Sequence, residues 1–496
     1  MKTFSRHRRA SLLSRLAIAL FALFCTGQGL RANDSREQCF NEQWKFQLGD
    51  VPDAARPDFD DSAWRPLDLP HDWSVEAAPD SLAPAGNDGG YYPTGTGWYR
   101  KTFRLDSGTD DLLTSVYFEG VYMNAQVFIN GHDLGTYPYG YTSFFHDLTP
   151  YLKPGENVLA VRVDNSQQKN CRWYTGSGIY RNVKLIRTPR LHFAPWGVAV
   201  RTATEGSQTQ ITVLATLVNE QKQDAAFTLN AQVLYQGTPQ AARQKKVSLE
   251  AGETRTVSLQ IPLENARLWS TDEPNLYQLV CRMEQGGEDA VEETFGVRTV
   301  EFDARRGLRL NGKPIELNGA CLHHDNGPLG AAAYRDAEWR KARLLKEAGF
   351  NAARTSHNPP SEAFLDACDR VGLLVIDESF DGWRSAKDTH DYSTLFDRWW
   401  TRDVEAMVCR DRNHPSIFCW SIGNEIIERK TPEAVLTAHA LAGHVRRFDP
   451  TRPVTSALAA WDNDWEIYDP LAAAHDIVGY NYMMHKGPSD HERVPD

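Results

Sequence analysis

One run of this chain carries a carboxylate at the tip of an apolar segment: Ile417-Phe418-Cys419-Trp420-Ser421-Ile422-Gly423-Asn424-Glu425. Preceded by Asn413-His414-Pro415 and followed by a polar stretch, the run reads as a fully buried strand. A carboxyl group at the end of such a strand is poorly solvated. Its pKa should rise toward the range of a general acid working near neutral pH. Paired carboxyl groups of that kind hydrolyse glycosidic bonds, so Glu425 is a candidate proton donor that needs a second carboxylate.

Other strand-like runs end in polar residues too. His323 and His324 close one, and Arg354 with His357 and Asn358 close the next. Asp377, Glu378, Asp381 and Trp383 follow a third, and Asn481 with Tyr482 a later one. A lone histidine at a strand tip more often serves structure than chemistry. Acids, amides, His, Arg and Tyr at successive tips are harder to explain as core or as a solvated face.

The elements that must position these tips are legible from about residue 301. A hairpin turn at Asn311-Gly312 leads to a strand over Ile315 to Ala320. A helix over Asp336 to Ala348 is closed by Gly349, a strand over Asn351 to Arg354 follows, and a helix over Ser361 to Val371 is closed by Gly372. Glycine ends helices because it enters the left-handed region without a Cβ penalty. Strands are predicted over Leu373 to Ile376, Ile417 to Ile422, Val454 to Leu458 and Ile477 to Tyr480, with helices over Phe396 to Arg412 and Pro432 to Phe448. Such alternation means a parallel α/β sheet. No Gly-rich phosphate loop follows the first strand, so a (β/α)₈ TIM barrel is favoured, with its chemistry where strands end.

Two all-β zones precede it. Residues 38–190 are rich in strand and turn signals, including Ala125-Gln126-Val127-Phe128-Ile129 before the hairpin pair Asn130-Gly131, and read as a jelly-roll β-sandwich. Residues 193–300 repeat short strands, with Ile211, Val213, Ala215 and Leu217 on one face. That zone is an immunoglobulin-like sandwich without chemistry of its own. The first 32 residues read as an export signal: Arg6, Arg8, Arg9 and Arg15 precede the apolar run Leu16 to Phe24, which is too short to span a membrane. Export to the periplasm or outside the cell is expected.

The chain has 496 residues, 41% of them hydrophobic, enough for several cored domains. Its 14 Trp suit both core packing and stacking on sugar rings. The net charge of −11 becomes −17 once the six cations of the first 32 residues are subtracted, which argues against nucleic acid or an anionic membrane as partner. A homo-oligomer is compatible with this composition. The cysteines lack paired spacing, so most should be small buried residues, with room for one incidental disulfide.

Several longer motifs carry a family resemblance. Cys419-Trp420-Ser421-Ile422-Gly423-Asn424-Glu425 resembles the acid/base signature of glycoside hydrolase family 2, and Asn351-Ala352-Ala353-Arg354-Thr355-Ser356-His357-Asn358-Pro359-Pro360 resembles the family's second-strand segment. The run from Trp173 to Val183 is similar to its sugar-binding-domain motif. Pro70-His71-Asp72-Trp73 and Gly97-Trp98-Tyr99-Arg100 are similar to its early β-domain. Gly319 to Asp325 and Asp377 to Trp383 lean toward the bacterial β-galactosidases, although β-glucuronidases and β-mannosidases share the frame.

The resemblance implies roles. Glu425 matches the general acid/base, Asn424 the amide that binds the sugar 2-hydroxyl, and Tyr482 a tyrosine that hydrogen bonds the nucleophile. His357 with Arg354 matches a substrate-positioning pair and His323 a further sugar contact. Asp381 and Trp383 join the sugar-contacting rim. Arg354 could equally form a salt bridge inside the barrel mouth, and Trp383 could equally pack beneath the rim.

Two departures matter. Metal-dependent β-galactosidases of the family bind Mg²⁺ through an acid and a His after the third strand. Here Asp381 is followed by Gly382, Trp383 and Arg384, so neither a Mg²⁺ site nor another cofactor is expected. The family's first-domain Asp ahead of the Trp-to-Val motif is replaced by Cys171-Arg172. The family nucleophile, a Glu ending the seventh strand, has no match before Asp496. A truncated barrel is the expectation, with a non-catalytic carbohydrate-binding fragment as the rival reading.

Overall fold

The computed structural model describes residues 36–105, 111–459 and 465–495; the leader assigned to residues 1–32 lies outside them. The first unit pairs two antiparallel sheets. One orders Arg65–Leu67, Trp44–Leu48, Gly95–Arg104, Glu156–Asn165, Ala125–Ile129 and His132–Tyr137; the other orders Glu37–Cys39, Val183–Thr188, Leu113–Phe118 and Phe144–Asp147. Alternation along each strand puts Trp44, Phe46, Tyr99, Val127 and Val161 into one core with Val116, Phe118 and Leu185. The Asn130-Gly131 turn has positive φ at both residues, 52° and 85°, as a two-residue hairpin requires.

The second unit is a sandwich of a three-stranded and a four-stranded antiparallel sheet. Ile211, Val213, Ala215 and Leu217 bury against Leu229, Ala231, Val233 and Leu279. It contributes no side chain to the barrel rim described below.

The third unit is a six-stranded, wholly parallel sheet in sequential order, the fold of an incomplete TIM barrel. Its strands are β1 (Gly319–Leu322), β2 (Ala352–Thr355), β3 (Leu374–Glu378), β4 (Ile417–Asn424), β5 (Val454–Ala459) and β6 (Gly479–Asn481). Helices α1 (Arg335–Glu347), α2 (Glu362–Val371), α3 (Phe396–Asp411) and α4 (Pro432–Phe448) cover it. Every residue of β4 is buried, which is why its sequence is a continuous apolar run rather than an alternation. Ser361 caps α2 by accepting from the Phe364 N–H, and Gly372 ends that helix at φ 76°. Thr431 caps α4 ahead of Pro432 in the same way.

The first strand differs from expectation, beginning at Gly319 rather than Ile315. The Asn351 side chain explains this. Its Oδ1 accepts from the Asn318 N–H at 2.7 Å and its Nδ2 donates to the Glu316 carbonyl at 2.8 Å, satisfying backbone that a ladder would otherwise pair. The cysteines also depart: Cys281, Cys368 and Cys419 are buried, but Cys39 and Cys321 are exposed, and all seven described cysteines are free thiols. Among the described residues no helix is long and apolar enough to cross a membrane.

Candidate active site

The ends of β2, β3, β4 and β6 meet on one rim. Glu425 follows β4 directly and adopts φ 47°, a left-handed conformation that costs a non-glycine residue energy and recurs at functional sites. Its N–H donates to the Ala457 carbonyl of β5 at 2.7 Å, which fixes the turn. The side chain is 8% exposed. Asn481 Nδ2 donates to Glu425 Oε1 at 2.9 Å, and the Tyr482 hydroxyl is a second partner. That hydrogen bond is the largest reason the phenol pKa lies above its ordinary value. Tyr482 thus touches Glu425, where the resemblance had paired it with a nucleophile.

Asn424 is buried and held at both ends of its amide. Oδ1 accepts from Arg354 Nη2 at 2.9 Å and from Asn481 Nδ2 at 3.2 Å, while Nδ2 donates to Asp381 Oδ1 at 2.8 Å. A side chain fixed this way presents its remaining hydrogen-bonding capacity in one orientation, which is what binding a sugar hydroxyl requires.

Arg354 itself clamps Glu378, from Nε at 2.9 Å and Nη2 at 2.7 Å, so the salt-bridge alternative describes its main contact. Glu378 is fully buried and also bonds His357 Nδ1 at 2.7 Å and Ser421 Oγ at 2.6 Å. Burial alone would raise its pKa; the Arg354 charge, His357 and Ser421 outweigh it and hold the carboxyl below its ordinary value. A carboxylate so fully engaged has no free lone pair to offer a substrate.

Asp381, partly buried, is the second hub. Arg172 reaches it from the first sandwich with Nη2 at 2.8 Å and Nε at 3.1 Å, and Lys387 Nζ lies 2.8 Å from Oδ1. Burial pushes this carboxyl up, but Arg172 and Lys387 together pull it well below the usual carboxylate range. Trp173 rises from the same sandwich motif. Its ring stacks on His323 at 5.4 Å and 23° and meets His357 edge-on at 5.4 Å, and its Nε1 donates to the Tyr141 hydroxyl at 2.9 Å. An aromatic face beside two imidazoles suits an apolar sugar face.

One expected contact is corrected. Trp383 is fully buried and its Nε1 donates to the Ile422 carbonyl at 2.8 Å; it packs beneath the rim and does not face a substrate. Sequence reasoning in turn missed Lys387, Ser421 and the positive contribution of Arg172. Only Arg172 left a signal, as the substitution ahead of Trp173.

The donor set does not fit the divalent metal that the resemblance brings to mind after β3. Asp381 supplies a carboxylate there, but an ammonium already lies against one of its oxygens, and Gly382, Trp383 and Arg384 rather than an imidazole come next in sequence. One other grouping of ligand-type side chains, Asp366, Asp369 and His414, lies at the opposite end of β4. Burial would lower the His414 pKa, yet Asp369 raises it to about 9, so the ring is protonated near neutral pH and has no lone pair for a metal.

Comparison with known proteins agrees with this architecture. Residues 39–189 match the sugar-binding domain of glycosyl hydrolases family 2, residues 192–298 the family's middle domain model, and residues 303–474 its TIM-barrel domain. A β-galactosidase of Bacteroides ovatus, BoGH2A, is 41% identical over 95% of this chain and 59% of its own length. A putative β-glucuronidase of Formosa agariphila is 40% identical over 85% of this chain and 40% of its length. Among solved structures, a family 2 member from Bacteroides cellulosilyticus superposes with a TM-score of 0.91 at 43% identity, covering 93% of this chain and 60% of that one. A Bacteroides uniformis β-glucuronidase superposes at 0.81 with 28% identity, over 93% of this chain and 58% of that one. The chain thus spans well under two thirds of these relatives. With all three domains matched in order and the strand tips arranged as described, this chain belongs to glycoside hydrolase family 2.

Proposed function

We propose that this chain carries the acid/base half of an exported, retaining β-galactosidase. The observation that carries the reading is the fixed pair at the end of β4. Glu425 is buried against Asn481 and Tyr482, and Asn424 is oriented from both sides by Arg354 and Asp381. In a double displacement Glu425 first protonates the leaving oxygen and later deprotonates water, while Asn424 binds the 2-hydroxyl more strongly in the transition state. The second carboxylate must lie about 5–5.5 Å from the first. Glu378 is excluded from that task by its engagement with Arg354, His357 and Ser421, and the nucleophile belongs on a strand beyond the six described.

A neutral sugar is favoured by charge. Arg172 and Lys387 are already held by Asp381 and Arg354 by Glu378 on this part of the rim, so none of these three cations is unengaged to receive a uronate. The second reading, a β-glucuronidase, is favoured by the relatives of that name. Nitrophenyl β-galactoside and β-glucuronide compared side by side, with the product of the whole gene, separate the two. Galactoside turnover abolished by Glu425→Gln is expected. Preference for the glucuronide would replace the substrate assignment, and turnover by the 496-residue chain alone would overturn the statement that its nucleophile lies elsewhere. Sugar binding without turnover by any product of the gene would leave only a carbohydrate-binding role.

A further inference from the structure

Lys387 lies in the long connection between β3 and α3, yet its side chain is only 6% exposed. Its ammonium is 2.8 Å from Asp381 Oδ1, 2.7 Å from the Asp381 carbonyl and 2.8 Å from the Asn424 carbonyl. Three donors meet three oxygens, which satisfies an ammonium fully. Its field also reaches Glu425 and Arg172. Burying a lysine is costly unless its charge is matched, and here it is matched by Asp381, which also orients Asn424.

We propose that Lys387 is the built-in cation of this active site: its ammonium binds Asp381 and the main chain of Asn424, and takes the place of a divalent metal ion beside Glu425. Metal and ammonium cannot share the position. Mg²⁺ requires oxygen ligands at about 2.0–2.1 Å, and those oxygens are already oriented on Nζ. Two positive centres a few ångströms apart in a buried site also repel strongly. Lys387 acts on the reaction through Asn424 and Asp381 and is a positioning residue. That role rests on the glycosidase reading; the occupancy of the oxygen cage by a lysine does not.

The test is a Mn²⁺ titration followed by electron paramagnetic resonance on the 496-residue chain, with Lys387→Ala, Asp381→Asn and the double variant. The wild type is expected to take up no Mn²⁺ that Asp381→Asn removes. Lys387→Ala, which empties the cage while keeping its oxygens, is expected to gain one Mn²⁺ site that the double variant lacks. A lysine with a merely structural role would not be replaced by a metal site. The proposal is overturned by wild-type Mn²⁺ binding that Asp381→Asn abolishes, or by a Lys387→Ala chain of native circular dichroism that gains no site. The wild-type titration decides the matter even if Lys387→Ala does not fold. None of these readouts needs turnover, so failure of the galactosidase assignment would show separately, in the glycoside assays.

Discussion

At the scale of single residues, the rim is built from carboxylates whose charges are already spoken for, and Arg354 is the side chain on which most depends. It neutralises Glu378, which is fully buried, and it orients the Asn424 amide at 2.9 Å. Removing one partner of a buried pair leaves an uncompensated charge, which costs about 3–5 kcal/mol. Arg354→Met should therefore lower unfolding free energy by about that amount in urea, whereas the double variant with Glu378→Met should recover a large part of it. Arg354→Lys separates the two duties, because a point ammonium cannot hold Glu378 from two nitrogens and reach Asn424 as well. It is expected to keep more of the stability than Arg354→Met while weakening the binding of galactose-configured inhibitors. Equal stability of the Met and Lys variants would show that the charge pairing matters less than the distances imply.

At the scale of elements, β4 and its continuation explain both what was readable and what was not. The Cys419-to-Glu425 run and the Asn351-to-Pro360 run are contiguous, so their apolar pattern, their tip residues and their strand assignment all lie in one stretch of sequence. Asp381 could be placed on the rim because it follows β3 closely. Lys387 could not: it sits in an irregular connection with no period, and only the fold brings Nζ to the Asn424 carbonyl. Trp383 had two open readings, and the one realised, packing beneath the rim, depends on the small residue across from it, Gly423. A Cβ on Gly423 would lie 2.8 Å from Trp383 Nε1 and 2.7 Å from Ile426 Cδ1, closer than packed atoms tolerate. Gly423→Ala is expected to cost about 1–3 kcal/mol by overpacking and to move the indole away from the Ile422 carbonyl, changing tryptophan fluorescence. Because Asn424 and Glu425 follow immediately, the same variant should also weaken sugar binding. A chain with unaltered melting and emission would mean that β4 shifts to make room at no cost.

At the scale of the whole molecule, the two sandwiches grip the barrel at different ends. From the first, Arg172 and Trp173 enter the rim, Arg181 donates to the Pro359 carbonyl at 2.8 Å, and Asp72 accepts from the Ala331 N–H at 2.8 Å. The second docks at the opposite end, on the corner ahead of β4. Asn413 bonds the Val198 carbonyl at 2.8 Å and the Val200 N–H at 2.9 Å, and the next residue, His414, bonds Asp369 of α2 at 2.6 Å. Asp369 also accepts from the Ser416 N–H at 2.9 Å, so one ion pair ties α2 to the corner that carries the second sandwich. Burial would lower the His414 pKa; Asp369 first, then Asp366 and Asp411, raise it to about 9 from 6.5. A histidine whose pKa is raised by folding contributes its full stability below about pH 6.5 and loses it as the pH climbs through about 9. The shift corresponds to about 3 kcal/mol. His414→Gln should therefore melt well below the wild type at about pH 6, and the gap should narrow by about pH 10, where the wild-type ring is neutral. What remains at high pH measures the neutral hydrogen bond alone. A gap of constant size across that range would mean that His414 is not charged in the folded chain, and that the corner is held by Asn413 and the backbone instead.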